Sequence, residues 1–309
     1  MTALGRARPV MKAAAERLLV AAGAPALLRL LRRRDALVLA YHNILPDGAP
    51  PAGDGGLHLP RAQFARQLDV VAETCEPVAL TDVLRPPPRR ARKPRVAITF
   101  DDAYWGAVTV GAAELARRRI PATIFVAPHF LGRTFWWDAI AWPGGSAWLD
   151  PFREHALRAL AGRDDVVRRA AVERGLRVDE PPPYLRCATE DELRRAVASA
   201  PITLASHTWS HPNLAALPPA ELREELDRPL DWLTTRFECV EPLLAYPYGS
   251  VSDQVVETTR AAGYAAAVTI GGGWIRGAVR DMHRIPRMNV DTELTLDGFV
   301  LSTAGLPRS

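Results

Sequence analysis

The stretch 96–106, VAITFDDAYWG, runs an apolar segment straight into two adjacent carboxylates, Asp101 and Asp102. Unpaired buried carboxylates are costly and need a cation, a proton or water beside them. "RVAITF" is too apolar for a half-exposed strand and reads as one covered on both faces. Side chains at a strand end point in alternate directions, so the two aspartates need not share a role. Capping of the helix that follows accounts for one aspartate, not two.

Outward from this stretch, short apolar runs alternate with longer helical patterns. "ALVLAYH" reads as a strand, and "PRAQFARQLDVVAE" as a helix with Phe64, Leu68 and Val71 on one face. "PATIFVA", "PITLASH", "EPLLAYP", "YAAAVTI" and "HRIPRMNV" read as further strands with helices between them. Residues 143–188, with "PGGSAW", two polar helical stretches and "DEPPPYLRC", read as an inserted helical lobe. Repeated strand–helix units predict a mainly parallel sheet with helices outside it, a barrel or a doubly wound sheet. In both, chemistry lies at the carboxyl ends of the strands.

Composition bounds the rest. A chain of 309 residues that is 48% hydrophobic buries a large core. Its net charge of +4 is scattered, as in "RRR" at 32–34 and "RPPPRRARKPR" at 85–95, without the basic stripe of a nucleic-acid binder. Cys75, Cys187 and Cys239 are odd in number and far apart, which fits a reducing compartment and no disulfide framework. Residues 1–35 read as a helical extension. Glu16, Arg17 and Arg29 interrupt its apolar patches, so neither a spanning helix nor a cleavable signal is expected. The expected location is cytoplasmic, with the extension packed on the domain or held loosely at a membrane surface as a basic amphipathic helix.

Three strand ends carry unusual chemistry. Besides Asp101-Asp102, "SHTWSHPNL" brings His207 and His211, and "AYPYGS" brings Tyr246, Pro247, Tyr248 and Gly249. Two imidazoles separated by three residues suit one divalent ion, and Pro212 argues for a strand-to-loop setting rather than a helix. Two histidines and one carboxylate leave coordination positions for water and substrate, as a hydrolytic metal requires. The second carboxylate is then placed to act as general base. Trp137, in "FLGRTFWWD", is the candidate for a substrate-binding aromatic beside these strand ends, against the commoner role of a core aromatic. His42 and His283 also stand near strand ends, with structural roles at least as well supported.

At these residues the chain resembles the polysaccharide deacetylase family (the NodB-homology domain, carbohydrate esterase family 4). "TFDD" at 99–102 resembles its first motif, "SHTWSHPNL" at 206–214 its metal motif, and "AYPYG" at 245–249 a form of its third. "YHNILP" and "HRIPRMNV" resemble landmarks at either end, so the likeness spans roughly residues 36–300. It implies a distorted (β/α) barrel over 36–305 with the helical insertion. It also implies hydrolytic removal of acetyl groups from an N- or O-acetylated glycan or sugar precursor. Carried across, Asp101 is the general base, Asp102, His207 and His211 hold the metal, most simply Zn2+, and the Tyr248 backbone N–H faces the oxyanion.

Two departures stand out. The family usually has glycine after its aspartate pair, where this chain has Ala103. Its third motif often carries an arginine that supports the base, where this chain has Ala245, so Arg287 in "IPRMNV" is the expected substitute. The family's late Leu-x-His, the source of its general acid, has no counterpart. The alternatives are therefore a catalytically impaired carbohydrate-binding relative and a C–N hydrolase acting on a small amide.

Overall fold

A computed structural model describes residues 3–50, 53–142 and 146–306. The first two residues of the N-terminal extension and 143–145 of the insertion lie outside the described residues.

Ten strands are formed among the described residues. They are β1 (Ala36–Tyr41), β2 (Asn43–Leu45), β3 (His58–Pro60), β4 (Glu76–Pro77) and β5 (Arg95–Phe100). They continue with β6 (Ala122–Val126), β7 (Ile202–Ser206), β8 (Val240–Ala245), β9 (Ala266–Val268) and β10 (Met288–Asn289). The main sheet is parallel in the order β10-β1-β5-β6-β7-β8-β9, with β4 also paired to β5. β2 and β3 make a separate parallel pair.

The sheet curls, and the segment from Ile285 joins its ends. Ile285 N donates to Ala267 O at 3.0 Å on the β9 side, and Val290 N donates to Ala40 O at 2.9 Å on the β1 side. The strand expected over 283–290 thus pairs as a strand only at Met288–Asn289. Pro286 lacks an N–H, which interrupts the ladder there. This is the distorted (β/α) barrel, a parallel sheet curled into a half-barrel within a shell of helices.

Every residue of β1, β5 and β6 is buried. Alternate side chains of one strand enter two different clusters, as a strand covered on both faces demands. Leu37, Leu39, Val96 and Ile98 join the outer cluster with Phe64, Leu68 and Val71 of the helix Arg61–Thr74. Ala36, Val38, Ala97, Ala205, Ala245 and Ala266 meet Phe125 and Ile285 in a second cluster. That cluster is rich in alanine because a strongly curled sheet leaves little room on its concave side.

The connection after β5 explains one glycine. A Cβ on Gly106 would lie 2.0 Å from the Ile44 carbonyl oxygen, so only glycine lets β2 approach. Beyond β6, helices Ser146–Arg158 and Asp164–Glu173, within 143–188, each pack on the helix Trp136–Ala141 that precedes them. All three cysteines are free.

Candidate active site

The chemistry gathers where the strands end. Asp101 and Asp102 follow β5, His207 follows β7, Tyr246–Gly249 follow β8, and Arg287 precedes β10. The backbone turns sharply there: Asp102, Ala103, Thr208, His211 and Tyr248 all have positive φ, between 49° and 68°. Non-glycine residues in this region carry strain that persists only where surrounding contacts impose it, often at functional sites.

Asp102, His207 and His211 converge, with ligand-type atoms all within 4.8 Å of one another. Asp102 Oδ1 lies 3.5 Å from His207 Nε2 and 3.3 Å from His211 Nε2, and the two imidazole nitrogens are 3.1 Å apart. His207 Nδ1 donates to Ala245 O at 2.8 Å, which leaves its Nε2 lone pair facing the carboxylate. Thr208 Oγ1 accepts from His211 N at 3.0 Å and fixes the loop.

Buried Asp102 Oδ1 has no hydrogen-bond partner. Burial, then the nearby Asp101 and Asp138 charges, push the Asp102 carboxyl well above its usual range. Burial, and then His207, lower His211 well below the ordinary imidazole value. Neutral imidazoles beside a carboxylate lacking a partner fit a divalent cation through a two-histidine, one-carboxylate set.

Asp101 has the opposite environment. Burial alone would raise it, but the Arg287 guanidinium overcomes that and holds it well below the carboxylate range. Arg287 Nη1 and Nη2 donate to Asp101 Oδ1 and Oδ2, each at 2.7 Å, and the Arg287 side chain is fully buried. Nη1 also donates to Thr99 Oγ1 at 3.1 Å, and Nε to Thr269 O at 3.0 Å. A carboxylate held this way keeps lone pairs on both oxygens for a further proton donor.

A cavity of about 180 Å³ is lined by Asp101, Asp102, His207, His211, Tyr248 and His42, among others. His42 is half-buried, and burial lowers its imidazole to about 4. Trp137 also lines the cavity but is 3% exposed. Its ring stacks on Phe135 at 4.2 Å and lies 5.1 Å from His211, while Nε1 donates to Tyr104 Oη at 2.8 Å. It therefore backs His211 as a wall rather than offering a free face. His283 stands apart from the cavity, and its Nε2 donates to Tyr264 O at 3.0 Å.

Two wall features have no sequence signal. Arg153, on the helix Ser146–Arg158, forms an ion pair with Asp54, and both line the cavity. Behind Trp137, Asp138 accepts from Tyr104 Oη and lies 2.8 Å from His58 Nε2. Neither pairing follows a period or a motif, since each joins a loop or strand to a helix about 30 to 100 residues further along the chain.

These features define a class: a curled parallel barrel with a His–His–Asp cluster and an arginine-held aspartate at its strand ends. The sequence profile of the polysaccharide deacetylase family matches residues 89–267, more than half of the chain, and the chain belongs to that family. Similar solved structures include IcaB from Ammonifex degensii, 19% identical, with a TM-score of 0.59 over 88% of this chain and 96% of that one. The deacetylase PplD of Streptococcus pyogenes, in complex with acetate, is 15% identical with a TM-score of 0.60, over 87% and 98%. A de-N-acetylase from Aggregatibacter actinomycetemcomitans is 14% identical with a TM-score of 0.61, over 87% and 99%. No curated protein sequence matches the chain.

Proposed function

We infer that this chain is a divalent-metal-dependent hydrolase that removes the acetyl group from an acetamide on a glycan or sugar precursor. The observation that carries this reading is one cavity holding both the Asp102–His207–His211 cluster and the Arg287-held Asp101. Family membership and the described activity of the similar de-N-acetylase support an acetamide over other linkages.

Asp102, His207 and His211 would hold the ion, with zinc the best match to two imidazoles and one carboxylate. A divalent ion bound there supplies Lewis acidity toward the acetyl carbonyl and lowers the pKa of water. Asp101 stays ionised in its arginine fork and takes the proton of the attacking water. The Tyr248 backbone N–H, fixed by a strained turn with φ 57°, serves as a preorganised donor to the developing oxyanion. A cavity of about 180 Å³ admits an acyl group with part of one sugar ring, leaving the rest of the glycan outside. Arg287 supporting the base, and His42 reaching the cavity, favour turnover over carbohydrate binding alone.

The test is acetate release from a panel of acetylated glycans, sugars and small amides, with and without a chelator. Asp101→Asn should lower turnover by about two to four orders of magnitude while one metal ion per chain is retained. Full activity in that variant would remove Asp101 as the base.

A further inference from the structure

We propose that the two N-terminal helices, Ala3–Ala21 and Ala24–Leu31, form a docking surface for an anionic phospholipid bilayer. Eight large hydrophobic side chains are exposed among the described residues, and six lie on these helices: Met11, Leu18, Leu19, Leu27, Leu30 and Leu31. Isolated exposed leucines need no explanation, but a concentration of this kind marks an interaction surface.

The helix Ala24–Leu31 is packed inside out for a protein in water. It buries Pro25 and Arg29, whose Nη2 donates to Val300 O at 3.0 Å and to Thr303 Oγ1 at 3.3 Å. Leu27, Leu30 and Leu31, at i, i+3 and i+4, face outward with 63%, 54% and 71% exposure. Each exposed leucine forgoes transfer energy that an apolar phase would supply.

Charge selects the occupant. Arg17, Arg33 and Arg34 are exposed on or just after the same helices. The lone acid between residues 11 and 34 is Glu16, half-buried, with its carboxylate accepting from Thr295 Oγ1 at 2.6 Å. A second copy of the chain would pair this patch with itself about a twofold axis and set arginines against arginines. A bilayer surface instead offers phosphates to the arginines and acyl chains to the leucines. No helix among the described residues is long and apolar enough to cross a membrane, so the pair would lie along the interface. Arg32, just past the second helix, lines a cavity that shares Ile270 and Asn289 with the candidate active site. The docking helices therefore adjoin a wall of that site.

The test uses the full chain and sedimentation with vesicles of phosphatidylcholine, with or without phosphatidylglycerol. Binding to the mixed vesicles and weak binding to the neutral ones are expected. Leu27→Glu/Leu30→Glu/Leu31→Glu, all at exposed positions, should weaken binding more than about tenfold while circular dichroism and melting stay unchanged. Arg33→Gln/Arg34→Gln should weaken it about fivefold or more. Equal sedimentation with neutral and anionic vesicles, or no effect of the leucine variant, overturns the proposal. A dimer abolished by the leucine substitutions, with no vesicle binding by the parent chain, overturns it too and gives the surface to a second copy.

Discussion

Arg287 and Asp101, 186 residues apart in the chain, meet in a two-pronged ion pair with both contacts at 2.7 Å and both side chains buried. The pair links the segment that joins the sheet's ends to the end of β5. It therefore ties barrel closure to the state of the proposed base.

Arg287→Lys keeps the charge but loses the planar fork, which a lysine cannot reproduce. Deacetylation should fall by about tenfold to a hundredfold while the fold is retained. Arg287→Ala leaves Asp101 buried without its partner and should cost about 3–5 kcal/mol of stability. Acetate-release kinetics and thermal unfolding measured side by side separate the two effects.

Metal loading gives a second expectation. On the proposed assignment an ion would bind the native cluster rather than the unfolded chain, so zinc at a hundredfold excess over its dissociation constant should add about 2.7 kcal/mol of stability. His211→Ala should remove that increment and reduce the bound metal to less than one ion per chain. Calorimetric melting with zinc and with chelator reads both.

Ala103 occupies the turn that aims the two aspartates, with φ 49° and no exposure. Its backbone conformation costs a non-glycine residue about 1–2 kcal/mol, partly offset by the greater unfolded freedom of glycine. Ala103→Gly should leave stability unchanged or raise it by up to about 1 kcal/mol. Ala103→Val, with a branched Cβ in the same conformation, should lose about 2 kcal/mol or more. Denaturant midpoints of the two variants test this.

Glu192 offers a pH dependence away from the cluster. It closes a capping box with Thr189, and Arg186 grips its carboxylate at 2.7 and 2.8 Å. The Arg186 bonds, working against burial, lower it to about 2 from an ordinary 4.5. Because the folded value is depressed, its contribution is complete above pH 4.5 and is lost as pH falls through about 2. Glu192→Gln should thus be less stable than the parent near neutrality, with the gap closing across that window. Thr189→Ala should cost about 1 kcal/mol at neutral pH. Unfolding curves taken from pH 6 downward decide both, to roughly the precision of cap measurements.

Much of the fold is legible in the chain because burial on both faces of a parallel strand writes itself as an apolar run. "RVAITF" and "ALVLAY" become fully buried strands, and Phe64, Leu68 and Val71 share the buried face that their spacing predicts. "HRIPRMNV" is less legible: its register depends on two neighbours at once, and Pro286 breaks the ladder between them. Trp137 shows another limit, because sequence places an aromatic beside the site but not which face is already covered. Arg153 and Asp54 lie beyond periodicity altogether, since their meeting depends on where the helix Ser146–Arg158 packs.

The sequence by itself determined the alternation of strands and helices, the carboxylates after β5 and the paired imidazoles after β7, because these follow from local pattern and spacing. Only the tertiary structure decided the geometry by which Asp102 meets the imidazoles and Asp101 meets Arg287, a division that the motifs carried by resemblance alone. That division depends on strained turns and on closure of the sheet, which bring together side chains whose separation along the chain carries no periodic signal.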